Sequence, residues 1–356
     1  MLIRIPLHDT RERNSSIASE LTAAMRRVVE AGDLILGRQV AMFEERFAGY
    51  CGTDHCVSTG NATDGFMIAF SALRLGPGDE VIVPANAHVS PALAARHLGG
   101  KVVCIDPLQS TLLIDAESVA ASLSEKTKVV VAVHLYGAMC NMAALKSLCA
   151  ERKIALIEDF SQAQGAALSQ GRAGAFGDVS ICSFYPTKPL GALGDGGAIL
   201  TNDVALKDEL TALREYGWRV RDDASLQGFN SRLDELQAAV LNLKLDYLDD
   251  WNQERTERAR RLRSLLLSLE WVKLPEPVEA NIYHLFPVLV EDRPEMVRRL
   301  NAAGFDCGIH YPLPIHRQGL FREENEMTSL PVSEATCDKV LSLPMTDPKG
   351  LVAAVS

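Results

Sequence analysis

No C-x-x-C pair occurs in the chain, although it carries eight cysteines in 356 residues. Cys51, Cys56, Cys104, Cys140, Cys149, Cys182, Cys307 and Cys337 are spread along the whole length. That spacing matches no zinc site and reads as buried thiols in a reducing compartment. Nor does any apolar run approach the ~20 residues that a membrane-spanning helix requires. The opening MLIRIPLHDTRERNSS turns charged after a few apolar residues and holds no signal-peptide core. Positive charge is short as well: 36 Lys and Arg against 46 Asp and Glu leave a net charge of −10. That balance argues against broad binding of nucleic acid or an anionic membrane, while leaving room for a local anion site. With 25 Gly and 16 Pro, collagen-like and low-complexity readings fall away. There is no G-x-x-x-x-G-K-[ST] loop and no dinucleotide fingerprint after a strand, so two familiar phosphate motifs are missing. The expectation is a cytoplasmic protein of about two domains.

What is present is an α/β pattern. β-branched runs at Val81–Pro84, Val102–Asp106, Val129–Leu135, Ile154–Asp159, Val179–Phe184 and Ala198–Asn202 alternate with helical segments. Most of these runs are apolar on both faces, as in a mostly parallel sheet covered by helices on each side. From Asp234 to about Leu267 the spacing of Leu236, Val240, Leu243 and Tyr247 is helical, with no Pro or Gly to interrupt it. This predicts one long linking helix over 234–267. The boundary is placed within it, between a large domain 1–240 and a smaller α+β domain 241–356.

Four segments could carry chemistry, and each has a plainer reading. VSTGNATDG (57–65) precedes a helical pattern, and small polar residues opening a helix offer free N–H groups to a phosphate; the plainer reading is an N-cap by Asn61 or Thr63. IEDFSQAQG (157–165) ends a strand in acidic residues, where open parallel sheets gather ligands, although a solvated turn carboxylate would look the same. SFYPTKPLGALGDGG (183–197) sets Lys188 among aromatics, prolines and glycines, where most lysines are merely solvated. GIHYPLPIH (308–316) places two histidines and a tyrosine on a Pro-rich loop, suited to ligand contact or to simple packing. A phosphate anchor, a strand-end Asp and an isolated Lys, in that order, form the parts list of a pyridoxal phosphate (PLP) enzyme. His and Cys ligands at zinc spacing are absent, so no metal is expected.

Together with GDLILGRQVAMFEERFAGY, VHLYGAMCNM, FNSRLDELQAAVL and LSLPM, these strings make the chain similar to the DegT/DnrJ/EryC1/StrS sugar aminotransferases. The resemblance runs nearly end to end. It implies a fold-type I PLP transferase: a mostly parallel central sheet flanked by helices, plus a smaller C-terminal α+β domain. Position by position it implies that Lys188 holds the cofactor covalently, Asp159 pairs with its ring nitrogen, and Gln162 lies near its ring oxygen. Thr63, Asp64 and Ser183 correspond to phosphate ligands, and Asn230 to a phosphate contact supplied by the partner subunit of a homodimer with shared active sites. The family's stacking aromatic is replaced by His88 in PANAH, and its usual QAHG reads QAQG, with Gln164 in place of histidine. The usual final helix is expected to be short.

By the same resemblance, glutamate is the amino donor and a nucleotide-linked keto-sugar the acceptor. EYGWRVRDD (215–223) resembles members that aminate C3, so Arg219 or Arg221 would face substrate, with Tyr185, His310 and Tyr311 lining the sugar pocket. The expected substrate is a dTDP-linked 3-keto-6-deoxyhexose. Relatives that aminate C4, act on cyclitols or form an aromatic amine share these motifs, and a regulatory homologue would keep the fold without the chemistry.

Overall fold

The computed structural model describes residues 4–8, 10–325 and 327–355. Seven strands form the central sheet: β1 (His55–Thr59), β2 (Glu80–Pro84), β3 (Lys101–Ile105), β4 (Thr127–Val133), β5 (Ala155–Asp159), β6 (Val179–Ser183) and β7 (Gly197–Thr201). Their spatial order is β1-β7-β6-β5-β4-β2-β3. Neighbours from β6 through β3 run parallel, and β7 is antiparallel to both β1 and β6. Val81, Ile82 and Val83 of β2 and Val129 to Ala132 of β4 are fully buried, because helices cover both sheet faces. Each such Val or Ile side chain gains about 1.5–3 kcal/mol from leaving water.

All six sequence-predicted strands are present, with ends shifted by a residue or two. β1 was not foreseen. Its HCVST is short and half polar, and it merges with the phosphate-loop pattern that follows.

The single helix expected over 234–267 is two, Glu235–Leu245 and Leu248–Leu266. The backbone at Asp246 and Tyr247 stays right-handed, but their N–H groups donate to Leu243 and Lys244, the tighter i→i−3 pattern. The kink therefore needs neither Pro nor Gly. The first helix packs on Arg38–Cys51 and Ala18–Ala31, whereas the second packs on Pro348–Val355.

A second, antiparallel sheet joins β8 (Val272–Lys273), β9 (Phe286–Val290) and β10 (Val340–Leu343) in that order. It has its own core of Leu262, Leu266, Phe286, Val288, Leu300, Leu341 and Leu351. Near the start of the chain, Ile5 pairs with Phe305 and packs against this core. The last helix, Pro348–Val355, has eight residues. Among the described residues no helix is long and apolar enough to cross a membrane.

Candidate active site

The register Val133↔Asp159↔Ile181 aligns β4, β5 and β6, so their carboxyl ends open at one edge of the sheet. A cavity of about 440 Å³ lies there, lined by residues from the first turn after β1, the loops after β2, β5 and β6, and the segment 308–311. Topology alone unites these segments, which are far apart in sequence.

Lys188 stands on the loop that follows β6. Gln164, fully buried, closes that loop at both ends. Its Nε2 donates to Ser183 O at 2.9 Å, and its Oε1 accepts from Leu190 N at 2.7 Å. Phe184 is packed edge-on against Phe43 and Phe47, and Lys244 Nζ donates to Gly191 O at 2.8 Å. Gly191 is obligatory here, since a Cβ would come within 2.3 Å of Pro186 O. Burial lowers the Lys188 ammonium from its usual range, with Asp159 and Cys182 acting weakly against the shift.

Asp159 ends β5. One carboxylate oxygen accepts from Ser161 N at 3.0 Å, and the side chain borders the cavity, where none of the described residues binds its second oxygen. Its neighbour Glu158 points to the opposite face, as strand alternation requires. There it accepts from His134, Gly174 N, Phe176 N and Ser180 Oγ.

Helix Ala62–Ala72 begins at the cavity wall. Asn61 caps it by accepting from Asp64 N at 2.9 Å. The capping reading and the anion-site reading are thus both realised at one helix start, since Asn61, Ala62 and Thr63 also line the cavity. Thr63 Oγ1 donates to Ser90 Oγ at 3.0 Å, and Ser90 N donates to His88 Nδ1 at 3.2 Å. His88 Nδ1 is therefore an acceptor, and its ring proton sits on Nε2.

Gln162 Oε1 accepts from Tyr136 N at 2.7 Å, and its Nε2 reaches Tyr311 Oη at 3.4 Å. Tyr136 Oη donates to His310 O, and His310 Nδ1 meets Ser342 Oγ at 2.9 Å. The rings of His88 and His310 each meet Tyr311 edge-on, at 5.5 and 5.6 Å.

Of the residues expected at the site, the fold brings Lys188, Asp159, Thr63, His88, Gln162, Ser183, Tyr185, His310 and Tyr311 to this cavity. Asp64 does not line the cavity: its N–H donates to Asn61 Oδ1 at 2.9 Å and its carboxylate accepts from Ser231 Oγ at 2.6 Å. Asn230 is exposed, bonded to Arg232 Nε at 2.7 Å, and outside this chain's cavity. Arg219 and Arg221 are also outside it, on the hairpin Trp218–Val220/Asp223–Ala224, where Arg219 pairs with Glu209 at 3.5 Å and Arg221 with Asp222 at 3.9 Å.

His8, Ser90, Thr187, Asp195 and His284 line the cavity without having been foreseen. The available signal was the histidine inventory, because four of the chain's eight (8, 88, 284 and 310) meet here. Burial lowers all four, with neighbouring cations adding to the effect: His8 to about 3, His310 to about 4, His284 well below its usual range, and His88 in the same direction. The walls are uncharged imidazoles. Among the described residues no group of three His, Cys, Asp or Glu side chains is placed to hold a metal.

The chain is similar to known proteins over nearly its whole length. Over 344 residues the chain is 40% identical to dTDP-3-amino-3,6-dideoxy-alpha-D-galactopyranose transaminase of Aneurinibacillus thermoaerophilus, covering 96% of this chain and 94% of that one. Over 345 residues it is 38% identical to dTDP-3-amino-3,4,6-trideoxy-alpha-D-glucose transaminase of Streptomyces venezuelae, covering 96% and 91%. The crystal structure of S. venezuelae DesV in complex with a ketimine intermediate superimposes with a TM-score of 0.95 at 37% identity, over 99% of this chain and 98% of that one. Residues 15–349 match the DegT/DnrJ/EryC1/StrS aminotransferase family, and the chain belongs to that family.

Proposed function

We propose that the chain transfers an amino group from glutamate to a nucleotide-linked keto-sugar, specifically a dTDP-linked 3-keto-6-deoxyhexose, with PLP as cofactor. One observation carries the reading: Lys188, the free oxygen of Asp159 and the first turn of helix Ala62–Ala72 border the same cavity. These residues fit the cofactor. First-turn N–H groups with the Thr63, Ser90 and Ser183 hydroxyls suit its phosphate, and a carboxylate oxygen without a protein donor suits a protonated ring nitrogen.

Bound there, PLP supplies an electron-accepting ring that stabilises negative charge at the carbon losing its proton. Asp159 keeps the ring nitrogen protonated. Lys188 Nζ would hold the cofactor and, as a free amine, would serve as the base that moves the proton. Its lowered pKa suits that role, because more of the neutral amine is available near neutral pH. Ser90 sets the orientation of His88, which would face the cofactor ring. Gln162, held by Tyr136 N, presents its amide at the cavity wall, where it would meet the cofactor's ring oxygen. Tyr185, His310 and Tyr311 line the sugar pocket.

Asn230 and the hairpin bearing Arg219 and Arg221 are tied to each other by the Glu215–Asn230 bridge and by Arg232 lying 5.6 Å over Tyr216. In our reading they complete the phosphate site of the partner in a homodimer, where a guanidinium can take the nucleotide's diphosphate. A large cofactor-binding domain 1–240 and a smaller domain 241–356 belong to the same reading, supported by the kink at Asp246–Tyr247 and the separate core beyond it. Eight unpaired cysteines support a reducing cytoplasm. The 3-keto choice draws on the two relatives named for 3-amino sugars.

The purified protein should show the absorbance band of lysine-bound cofactor, and Lys188→Ala should lack it. Product NMR should place the new amine at C3. An amine at C4, with no turnover of any 3-keto sugar, would overturn the substrate assignment.

A further inference from the structure

A second cavity, of about 300 Å³, adjoins the first and shares His8, Thr187 and His284 with it. Helices Thr10–Ser16 and Leu248–Leu266 and the pair Met345–Thr346 enclose it. Three guanidinium groups line it, those of Arg13, Arg255 and Arg258, with Glu12 and Glu254 as its acidic residues. Arg258 has Glu254 at 3.7 Å. Among the described residues no carboxylate forms an ion pair with Arg13 or Arg255, and the charges that bear on Arg255 are the like charges of Arg13 and Arg258. Burial, reinforced by those cations, pushes Arg255 down to about 9. In a chain of net charge −10, two cations that line this cavity have no counter-ion among the described residues.

Each is held in place by one edge. Arg13 Nη1 donates to Pro189 O at 3.1 Å and lies 5.2 Å from the Trp251 ring. Arg255 Nε donates to Ile282 O at 3.2 Å, and a second nitrogen donates to Asn252 Oδ1. A guanidinium carries five N–H donors, so both keep donors to spare in a fixed orientation. Both also connect to the lysine loop, Arg13 through Pro189 and Arg255 through Asn252, whose Nδ2 donates to Gln164 O at 2.9 Å. The stacked rings of His8 and His284, 5.2 Å apart, stand in the wall between the two cavities and carry no charge to compete for an anion.

We infer that this recess is the carboxylate subsite for a dicarboxylic amino donor, with Arg13 and Arg255 as the residues that select it. The inference rests on the aminotransferase reading above. One site must admit two reactants in turn, and a sugar ring offers no charge to these arginines, whereas two carboxylates match two unpaired guanidiniums. A half-buried cation without a counter-ion is costly, so the arrangement favours a ligand that neutralises it.

The test titrates the cofactor-loaded enzyme calorimetrically with glutarate, butyrate and inorganic pyrophosphate. In parallel, it follows loss of the lysine-bound cofactor band against glutamate concentration. Glutarate should bind wild type more tightly than butyrate does. Arg13→Gln and Arg255→Gln, on separate helices, should each weaken glutarate about tenfold or more, with Arg255→Lys intermediate. The glutamate concentration for half-maximal band loss should rise by the same factor, while affinity for the nucleotide-sugar stays the same. Unchanged glutarate binding in both Gln variants would overturn the assignment, as would weakening confined to pyrophosphate and the nucleotide-sugar. If wild type responds to glutamate and the variants respond identically, this subsite alone is refuted. A wild-type band that glutamate never discharges refutes the aminotransferase reading and the subsite with it.

Discussion

His88 shows how much a single side chain is held by its surroundings. Thr63 donates to Ser90 and Ser90 to His88, so the helix start proposed to hold the cofactor phosphate and the imidazole proposed to face its ring share one hydrogen-bond chain. An aromatic contact of this kind is worth about 0.5–1.5 kcal/mol beyond burial, so His88→Ala should raise the cofactor dissociation constant roughly threefold to tenfold. Unchanged retention in equilibrium dialysis would place His88 away from the ring. The cavity histidines also set a pH dependence. Each has a folded-state pKa below the unfolded value of 6.5, so protons taken up between pH 6.5 and about 4 bind the unfolded chain first. Stability from this source is therefore complete above pH 6.5 and declines as pH falls. Calorimetric melting across that window should show the decline, with a shallower slope in His310→Gln. Equal slopes in the two proteins would remove His310 from the account.

At the scale of elements, the β2 to β7 strands were legible because continuous apolar runs mark strands buried on both faces. β1 was hidden by its polar residues, and the kink at Asp246–Tyr247 by the absence of any helix breaker. The site was legible where residues cluster in motifs, as around Lys188 and Asp159. It was illegible at His8 and His284, which only the chain's path through space brings to the cavity. Gln164, noted as a departure from the family pattern, proves to brace the lysine loop, a role no local spacing could reveal. Gln164→Ala leaves Ser183 O and Leu190 N without their partner, at a cost of about 1–3 kcal/mol for each buried group. A neutral imidazole has one donor and one acceptor, so Gln164→His can satisfy both and should melt near wild type. Equal melting temperatures for Gln164→Ala and wild type would show that the loop is held by other contacts.

The whole molecule carries a net charge of −10, yet Lys188, Arg13 and Arg255 set basic side chains around two adjoining cavities. That contrast draws anionic substrates to one place on an otherwise acidic protein. Exposed Asn230, outside its own chain's cavity, leads us to expect a dimer by sedimentation; a monomer with full cofactor affinity would contradict the shared site. The central claim is that one lysine-centred cavity serves both the amino donor and the keto-sugar. Single-turnover spectroscopy tests it most directly: glutamate should discharge the band of lysine-bound cofactor, and a dTDP-linked 3-keto-6-deoxyhexose should then restore it. A band that glutamate leaves unchanged, or that survives in Lys188→Ala, would contradict the account.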